Sequence, residues 1–168
     1  MKICILNESD AQLYQAVRLS ALKNNPESFG STYEREVTFS LEYVSQRLAP
    51  TKDQFILGAF NSNDLLVGIV SFVRETSLKT IHKGNVFGMY VVPEERGKGL
   101  GKSLMSVLIR EAKKCDGLEQ INLSVVAENS SAKKLYKSLG FEVYGVERNA
   151  LKFNGQYFNE DLMVLTFK

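Results

Sequence analysis

The sequence predicts an α/β fold in which a mixed sheet of about seven strands carries helices on its faces. Short apolar runs bounded by turn residues, which are typical of strands, alternate with stretches whose apolar residues recur every three to four positions, which are typical of helices. Along the 168 residues the predicted order is β-α-α-β-β-β-α-β-α-β-β. A chain with this order packs its helices against a sheet.

The chain begins with a predicted strand at residues 2–6 and a helix. Asp10 is a suitable cap for that helix, which extends to about Lys23 before Asn24-Asn25-Pro26 stops it. Its apolar face is predicted at Leu13, Val17 and Ala21.

Residues 27–39, rich in Ser, Thr and Glu, predict an extended linker, and Ser40 caps a second helix over 41–49. The remaining helices are predicted from about Gly99 to Cys115 and over 130–139. Strands are predicted at 54–60, 65–75, 84–92, 120–127, 141–148 and 157–167, the last two around an Asn154-Gly155 turn.

Composition indicates one domain, 1–168, that folds without disulfides or metal. Most metal sites are ruled out, because the chain has a single histidine, His82, and only two cysteines, Cys4 and Cys115. The two cysteines are far apart in the sequence and are predicted to be free thiols in a reducing compartment. The net charge of +2 argues against a bulk nucleic-acid binder. Apolar runs are too short for a signal peptide or a membrane span, so we expect a cytoplasmic protein.

A turn with three glycines separates an apolar strand from an amphipathic helix. Gly97, Gly99 and Gly101 lack Cβ atoms, so backbone N–H groups can approach a ligand there. The helix start adds free N–H groups and a positive dipole end, which favour an anion. Three side chains add positive charge: Arg96, Lys98 and Lys102. The turn therefore predicts a phosphate or pyrophosphate site, since a simple connection needs only one glycine.

Three phosphate-binding patterns compete for this turn. The P-loop pattern GxxxxGK[ST] would end on Gly101-Lys102-Ser103, but its first glycine would fall on Arg96. The dinucleotide pattern GxGxxG fails because Lys102 occupies the place of its last glycine. The pattern R/Q-x-x-G-x-G/A matches residues 96–101.

That match, after a V-x-P strand end, resembles the acetyl-coenzyme A signature of the GNAT superfamily of N-acetyltransferases. A second block, from Asn129 to Phe141, is similar to the family's N-x-x-A-x-x-L-Y-x-x-x-G-F segment. The two blocks and the strands before them span residues 86–141. The resemblance implies a mostly antiparallel sheet whose central strands, 86–92 and 120–127, splay apart. It also implies acetyl transfer from acetyl-CoA to an amine in one ternary complex.

The resemblance further implies which residues bind acetyl-CoA. Backbone groups before the turn would contact the pantetheine or the acetyl carbonyl, where an N–H stabilises an oxyanion. Asn129 both suits a helix cap and matches a position that touches the cofactor in the family. The implied cofactor-binding residues are Met89, Tyr90, Val91, Arg96, Gly97, Lys98, Gly99, Leu100, Gly101, Lys102 and Asn129. For Lys102 alone, a solvated helix position is an equally good interpretation.

Tyr136 matches the family position of the general acid. A phenol with a pKa of ~10 is suited to protonate the thiolate of a thiol with a pKa of ~8.5, although apolar neighbours also suit Tyr136 to packing. The general base is unassigned, because Asn85 occupies the strand position where some family members carry a glutamate. Its remaining candidates are Glu34, Glu36, Glu75 and Glu128, while His82 is interpreted as a surface histidine.

The acceptor site is predicted between the first two helices and the last hairpin. Phe29, Tyr33 and Glu34 would form one wall, and Tyr144, Arg148 and Tyr157 would close the other. Glu34 would favour a cationic amine. The acceptor is expected to be a primary amine of a small molecule or peptide, and the sequence does not separate antibiotics, polyamines, amino acids, peptide N-termini and protein lysines.

Two other functions compete with the enzyme. A catalytically weak CoA-binding sensor fits the loss of a base at Asn85, although the retained Tyr136 argues against it. A nucleic-acid module would use Lys113-Lys114 and the lysines at 133, 134 and 137, but these lie on helices whose polar face is ordinarily solvated. We therefore expect neither nucleic acid nor a membrane as a partner, and a homodimer by the habit of the family.

Overall fold

The computed structural model describes all 168 residues and contains the predicted seven-stranded sheet. The strands are β1 (Lys2–Ile5), β2 (Gln54–Phe60), β3 (Leu66–Arg74), β4 (Lys83–Val91), β5 (Gln120–Val126), β6 (Glu142–Phe153) and β7 (Gln156–Thr166). They lie in the order β1-β2-β3-β4-β5-β7-β6, and only β4 and β5 pair in parallel. The predicted mixed, mostly antiparallel sheet is confirmed.

Five helices cover both faces of this sheet. They are α1 (Ala11–Asn24), α2 (Tyr33–Glu36), α3 (Leu41–Leu48), α4 (Leu100–Ala112) and α5 (Ser130–Ser138). Side chains alternate along β2, so Leu57 packs in the cluster that contains α4, while Ile56 packs in the cluster that contains α1 and α3. The two apolar clusters hold the helices against opposite faces of the sheet.

The central strands β4 and β5 separate soon after they meet. They pair only at Lys83 with Gln120, Gly84 with Ile121 and Asn85 with Asn122. Beyond this point β4 follows β3 and β5 follows β7, so a gap opens between them toward the glycine turn. Gly88, with φ of +62°, lies in a register shift between β3 and β4 and adds to the divergence. The predicted splay is confirmed.

Helix α1 differs from the prediction at its start and along its buried face. Asn7 caps the turn before it, accepting from the Ser9 N–H at 2.9 Å, and the Asp10 carboxylate accepts from the Asn7 N–H at 2.9 Å. The predicted cap at Asp10 was therefore wrong. Leu13 is 46% exposed, whereas Arg18 is buried. A charged residue occupies the buried stripe because α2 supplies its partner.

Residues 27–39 are more structured than the predicted extended linker. Pro26–Ser28 forms a 3-10 turn, and Thr32 caps α2 by accepting from the Arg35 N–H at 3.2 Å. The segment is ordered in this way because Glu36 is drawn into a buried ion pair with α1. Ser40 caps α3 as predicted, accepting from the Tyr43 N–H at 3.1 Å.

The last hairpin is longer than predicted. β6 continues past 148 to Phe153, with a bulge in its pairing with β7 between Glu147 and Leu151. Within this bulge Asn149 has φ of +52°, and its N–H donates to Asn159 Oδ1 at 2.9 Å. The predicted Asn154-Gly155 turn joins β6 to β7. None of the helices has the length and apolar character needed to span a membrane.

Candidate active site

The glycine turn joins β4 to α4 through a backbone conformation that suits glycine. Gly97 has φ of +76° and Gly99, immediately before α4, has φ of +81°. A Cβ at either position would meet no atom within 4 Å, so conformation rather than crowding requires glycine there. No side chain from these two residues blocks the approach to the first-turn N–H groups of α4, which favour an anion.

A cavity of about 470 Å³, here called the turn cavity, lies between the glycine turn, the end of β4 and the start of α5. The predicted cofactor-binding residues that line it are Met89, Tyr90, Val91, Arg96, Gly97, Gly99, Leu100, Gly101, Lys102 and Asn129. Lys98 does not line it, and its Nζ lies 3.1 Å from Oε2 of Glu95, which does. The structure thus gathers all but one of these residues around one cavity.

Two positive side chains differ in what they leave available to a ligand. Arg96 Nε donates to the Val91 carbonyl at 2.8 Å, and Nη2 donates to Asn25 Oδ1 at 3.1 Å. Its guanidinium also lies 5.4 Å from the centre of the Tyr90 ring. Arg96 therefore holds the turn against β4, whereas the exposed Lys102 makes no ion pair within the chain and offers its charge to the cavity.

A second cavity of about 600 Å³, here called the central cavity, spans the gap between β4 and β5. The residues that line both cavities are Ser28, Phe29, Met89, Asn129, Ala132 and Tyr136. The two cavities therefore adjoin where the central strands diverge.

Tyr136 of α5 stands at this junction. Asn129 Oδ1 accepts from the Ala132 N–H at 3.2 Å, which caps α5 as predicted and fixes the turn that precedes Tyr136. The Tyr136 ring packs edge-on against Phe141 at 5.9 Å and is 7% exposed. Burial raises the pKa of its phenol to about 12. The hydroxyl makes no hydrogen bond within the chain, so its proton is available to a ligand in the cavities.

Glu160 of β7 is the one acidic residue that lines the central cavity. Burial, and then the charge of Glu147 opposite it on β6, raises the pKa of its carboxyl group. A carboxylate with a raised pKa is a better proton acceptor than an ordinary one. Glu75, Glu128 and His82, in contrast, line neither cavity.

Two arginines of the central cavity share the buried carboxylate of Glu36. Arg18 Nε and Nη2 donate to Oε1 and Oε2 at 3.0 and 2.9 Å, and Arg47 Nη1 lies 3.6 Å from Oε1. Burial alone would raise the pKa of Glu36, but the hydrogen bonds and charge of Arg18, with the charge of Arg47, outweigh it and lower that pKa. Glu36 is thereby held as a carboxylate, and its lowered pKa makes it a poor proton acceptor.

The predicted acceptor residues lie in different places. Phe29 lines all three cavities, whereas Tyr33 and Glu34 line only a third cavity of about 410 Å³ beside β6, which shares Phe29, Gly30, Ser31 and Leu151 with the central cavity. Tyr33 is held there by Lys23, whose Nζ lies 5.8 Å from the centre of its ring. From the last hairpin, Tyr144 lines the central cavity, while Arg148 and Tyr157 line none of the three.

Sequence reasoning missed Arg18, Arg47 and Glu160. For Arg18 a signal exists, because it follows Tyr14 by four residues and precedes Ala21 by three on the buried stripe of α1. A charge within such a stripe indicates a buried partner of opposite charge. For Arg47 and Glu160, nothing in the neighbouring sequence separates them from solvated side chains.

The splayed sheet, the glycine turn and the adjoining cavities are the features expected of the GNAT superfamily. A family model described as "Acetyltransferase (GNAT) domain" matches residues 3–162. The chain belongs to this family, as the sequence predicted.

Known proteins support the same assignment. A curated relative from Salmonella typhimurium, the L-methionine sulfoximine/L-methionine sulfone acetyltransferase, is 35% identical over 81 residues, which is 48% of this chain and 47% of the relative. The matched stretch amounts to less than half the length of several curated relatives, this one included.

Solved structures resemble the whole chain. A GNAT-family acetyltransferase from Streptococcus pneumoniae superposes with a TM-score of 0.86 at 22% identity, covering 99% of each chain. A Salmonella typhimurium acetyltransferase described with its cofactor acetyl-CoA superposes with a TM-score of 0.82 at 22% identity, covering 99% of this chain and 93% of that one. At this level of identity the likeness concerns the fold.

Proposed function

We propose that this protein transfers an acetyl group from acetyl-CoA to a primary amine of a small molecule or peptide, within one domain over residues 1–168. The observation that carries the proposal is the meeting of two cavities at Met89 and Tyr136. One cavity leads to an anion-favouring turn, and the other contains a single acidic residue, Glu160. This arrangement suits a donor and an acceptor that approach the same point from two sides.

The turn cavity suits acetyl-CoA in charge and in backbone chemistry. The N-terminus of α4 and the free charge of Lys102 complement a pyrophosphate. Along the gap, β4 has no partner from β5 beyond Asn85, so its backbone groups are available to the amides of a pantetheine arm. Two relatives of known structure were solved with acetyl-CoA, which supports this choice of donor.

Tyr136 donates a hydrogen bond to the departing thiolate. Its phenol is protonated at neutral pH, because its pKa is raised to about 12. The hydroxyl has no competing acceptor within the chain, and Tyr136 lines both adjoining cavities, which supports this role. The phenol therefore stabilises negative charge on sulfur as the bond to the acetyl group breaks.

Glu160 acts as the general base that takes the proton from the attacking amine. Asn85, at the position where the sequence left the base unassigned, lines the central cavity and donates from Nδ2 to Glu75 Oε2 at 3.3 Å. An amide does not accept this proton, and Glu36 is held by two arginines. Glu160 is the acidic residue that remains in the cavity, and its raised pKa suits it to the role.

Calorimetric titration tests the donor first. Acetyl-CoA, ATP and NAD are titrated separately into the purified protein, and the proposal requires that acetyl-CoA bind while ATP and NAD do not. Thiol release is then measured with a panel of primary amines. Binding of acetyl-CoA without acceleration of thiol release by any amine would favour the CoA-binding sensor. Binding of ATP or NAD alone would overturn the assignment of the glycine turn.

The names of the relatives do not fix the acceptor, since they refer to mycothiol, to amino acids and to spermidine. The homodimer expected from the resemblance stays a prediction. Light scattering would test it against the 18.9 kDa of one chain.

A further inference from the structure

We propose that the acceptor carries a carboxylate close to its amine, as a free α-amino acid does, and that Arg18 and Arg47 bind this carboxylate in the central cavity. The inference rests on the proposed acetyl transfer and names the class of acceptor.

The arginine side of the central cavity has one positive charge in excess. Arg18 and Arg47 both line the cavity, and they share the single carboxylate of Glu36. The Glu36 side chain is 2% exposed and those of Arg18 and Arg47 are 11% and 36% exposed, so the carboxylate lies behind the two guanidinium groups. A partly buried positive charge attracts an anion more strongly than a solvated one does.

Both arginines keep N–H groups free for such an anion. Arg47 makes no hydrogen bond within the chain, because its nearest approach to Glu36 is 3.6 Å. Arg18 uses Nε and Nη2 on Glu36, which leaves Nη1 without an acceptor. The only fully buried side-chain polar atom without a partner is Gln15 Oε1, so these arginine nitrogens are not fully buried, and both arginines line the central cavity.

The free Nη1 of Arg18 lies beside Gly88 of β4, within the lining of the central cavity. A Cβ built on Gly88 would lie 3.4 Å from Arg18 Nη1. Gly88 lines the central cavity and precedes Met89, which lines both cavities. A carboxylate bound by Arg18 Nη1 would thus lie beside Gly88, the residue before Met89 at the junction of the two cavities.

Aromatic rings hold both guanidinium groups in place. The Arg18 guanidinium lies 5.2 Å from the centre of the Phe29 ring, and that of Arg47 lies 5.8 and 6.0 Å from those of Phe39 and Tyr43. A fixed, planar guanidinium matches the two oxygens of a carboxylate with little loss of side-chain freedom.

Charge across the cavity has the polarity of an amino acid. Arg18 and Arg47 come from helices α1 and α3, and Arg18 lies beside Gly88 of β4. Glu160 lies on β7, which is separated from β4 by β5 in the sheet. The positive side suits the carboxylate, and Glu160 suits the ammonium group from which it removes a proton. A polyamine would meet an uncompensated positive charge and gain nothing from it.

Matched pairs of acceptors test the inference in the intact protein. Thiol release from acetyl-CoA is measured with L-leucine, L-methionine and L-phenylalanine and with their α-carboxamides. We expect kcat/KM to be at least about tenfold higher for each acid, because a charge-assisted bidentate contact is lost in the amide. The amide has the less basic amine, which by itself would favour the amide. Equal use of acids and amides would overturn the inference.

A pair of variants separates the carboxylate contact from general packing. Arg47→Gln is expected to reduce the acid-to-amide ratio of kcat/KM about tenfold. Arg35→Gln is the matched control, because the Arg35 guanidinium also stacks on Phe39, at 5.6 Å, but Arg35 does not line the cavity. A ratio that is unchanged in Arg47→Gln, or reduced as much in Arg35→Gln, would overturn the inference.

Binding of the products gives a readout that needs no turnover. N-acetyl-L-phenylalanine is expected to bind the CoA-saturated protein at least about tenfold more tightly than its amide, and Arg47→Gln is expected to abolish the difference. Equal affinities would overturn the inference. Turnover of amines with no preference for those that carry a carboxylate would also overturn the inference, but it would uphold the proposed acetyl transfer. Failure of the protein to bind acetyl-CoA would instead overturn the proposed function itself.

Discussion

Replacement of Tyr136 by phenylalanine removes one hydroxyl group from the junction of the two cavities and leaves the ring in place. The edge-on contact with Phe141 at 5.9 Å is retained. Because the hydroxyl has no hydrogen-bond partner within the chain, we expect the free energy of unfolding to change by no more than about 0.5 kcal/mol. A loss of turnover in this variant would therefore be due to the missing hydroxyl group and not to unfolding of the protein.

The pKa values of the phenol and the thiol indicate how Tyr136 would act, and the strength of a hydrogen bond gives the size of the rate effect. The phenol has a pKa of about 12 in its buried site, above the ~8.5 of a simple thiol, so complete transfer of its proton to the thiolate is not expected. Tyr136 is thus expected to stabilise the developing thiolate through a hydrogen bond rather than to complete the transfer. A hydrogen bond to a charged group is worth about 1.5–3 kcal/mol, which corresponds to a rate loss of about 10- to 100-fold.

Single-turnover thiol release at saturating acetyl-CoA and amine measures this loss. Tyr157→Phe is the matched control, since Tyr157 lies in the β6–β7 hairpin, is 58% exposed and lines none of the three cavities. Acetyl-CoA affinity is measured in parallel and is expected to be unchanged in both variants. A Tyr136→Phe rate within twofold of the unmodified protein would show that the tyrosine has only a packing role.

Four further substitutions probe the base, the buried ion pair and the turn. A base works only when deprotonated, so activity is lost as pH falls through the raised pKa of Glu160. Glu147→Gln removes a charge that raises this pKa and should move the acidic limb of the pH–rate profile to lower pH, whereas Glu160→Gln should abolish that limb. Glu36→Gln leaves Arg18 buried without its carboxylate and should lower the free energy of unfolding in urea by about 3 kcal/mol. In the unmodified protein the pKa of Glu36 is lower in the folded state than in the unfolded state. The ion pair therefore contributes its full stability above the unfolded-state pKa, and this contribution is lost as the pH falls through the folded-state pKa. An unfolding free energy within 1 kcal/mol of the unmodified protein, roughly the value of an exposed pair, would contradict that cost. Gly99→Ala forces a Cβ onto a residue with φ of +81° and should cost about 1–2 kcal/mol of stability and weaken acetyl-CoA binding in calorimetry, and unchanged affinity would remove the turn from the cofactor site.

The order of elements was predictable because each one leaves a local signal. Apolar periodicity located all seven strands, and Ser40 and Asn129 were identified as caps that the structure contains. The errors have physical causes that lie outside the local sequence. Leu13 is exposed because α1 turns Arg18 inward, and Arg18 turns inward because Glu36, eighteen residues later, meets it.

The same distinction separates the two halves of the candidate site. The turn cavity is built from one strand end, one turn and one helix start, whose residues are neighbours in sequence, so a short pattern predicts its lining. The central cavity depends on Arg18, Arg47 and Glu160, which come from α1, α3 and β7. No spacing rule connects these positions, because only the folded sheet brings them together.

This difference bears on how the protein selects its two substrates. In the proposed reaction, backbone N–H groups and glycines bind the pyrophosphate, so changes in most side chains are expected to leave the donor side intact. The proposed acceptor side depends on the side chains of a few charged residues, held by aromatic rings and by the shared carboxylate of Glu36. Exchange of Arg47 is therefore expected to change which amine is accepted without disturbing the turn, and a fold of this kind can acquire a new acceptor through substitutions at positions that its glycine pattern does not include.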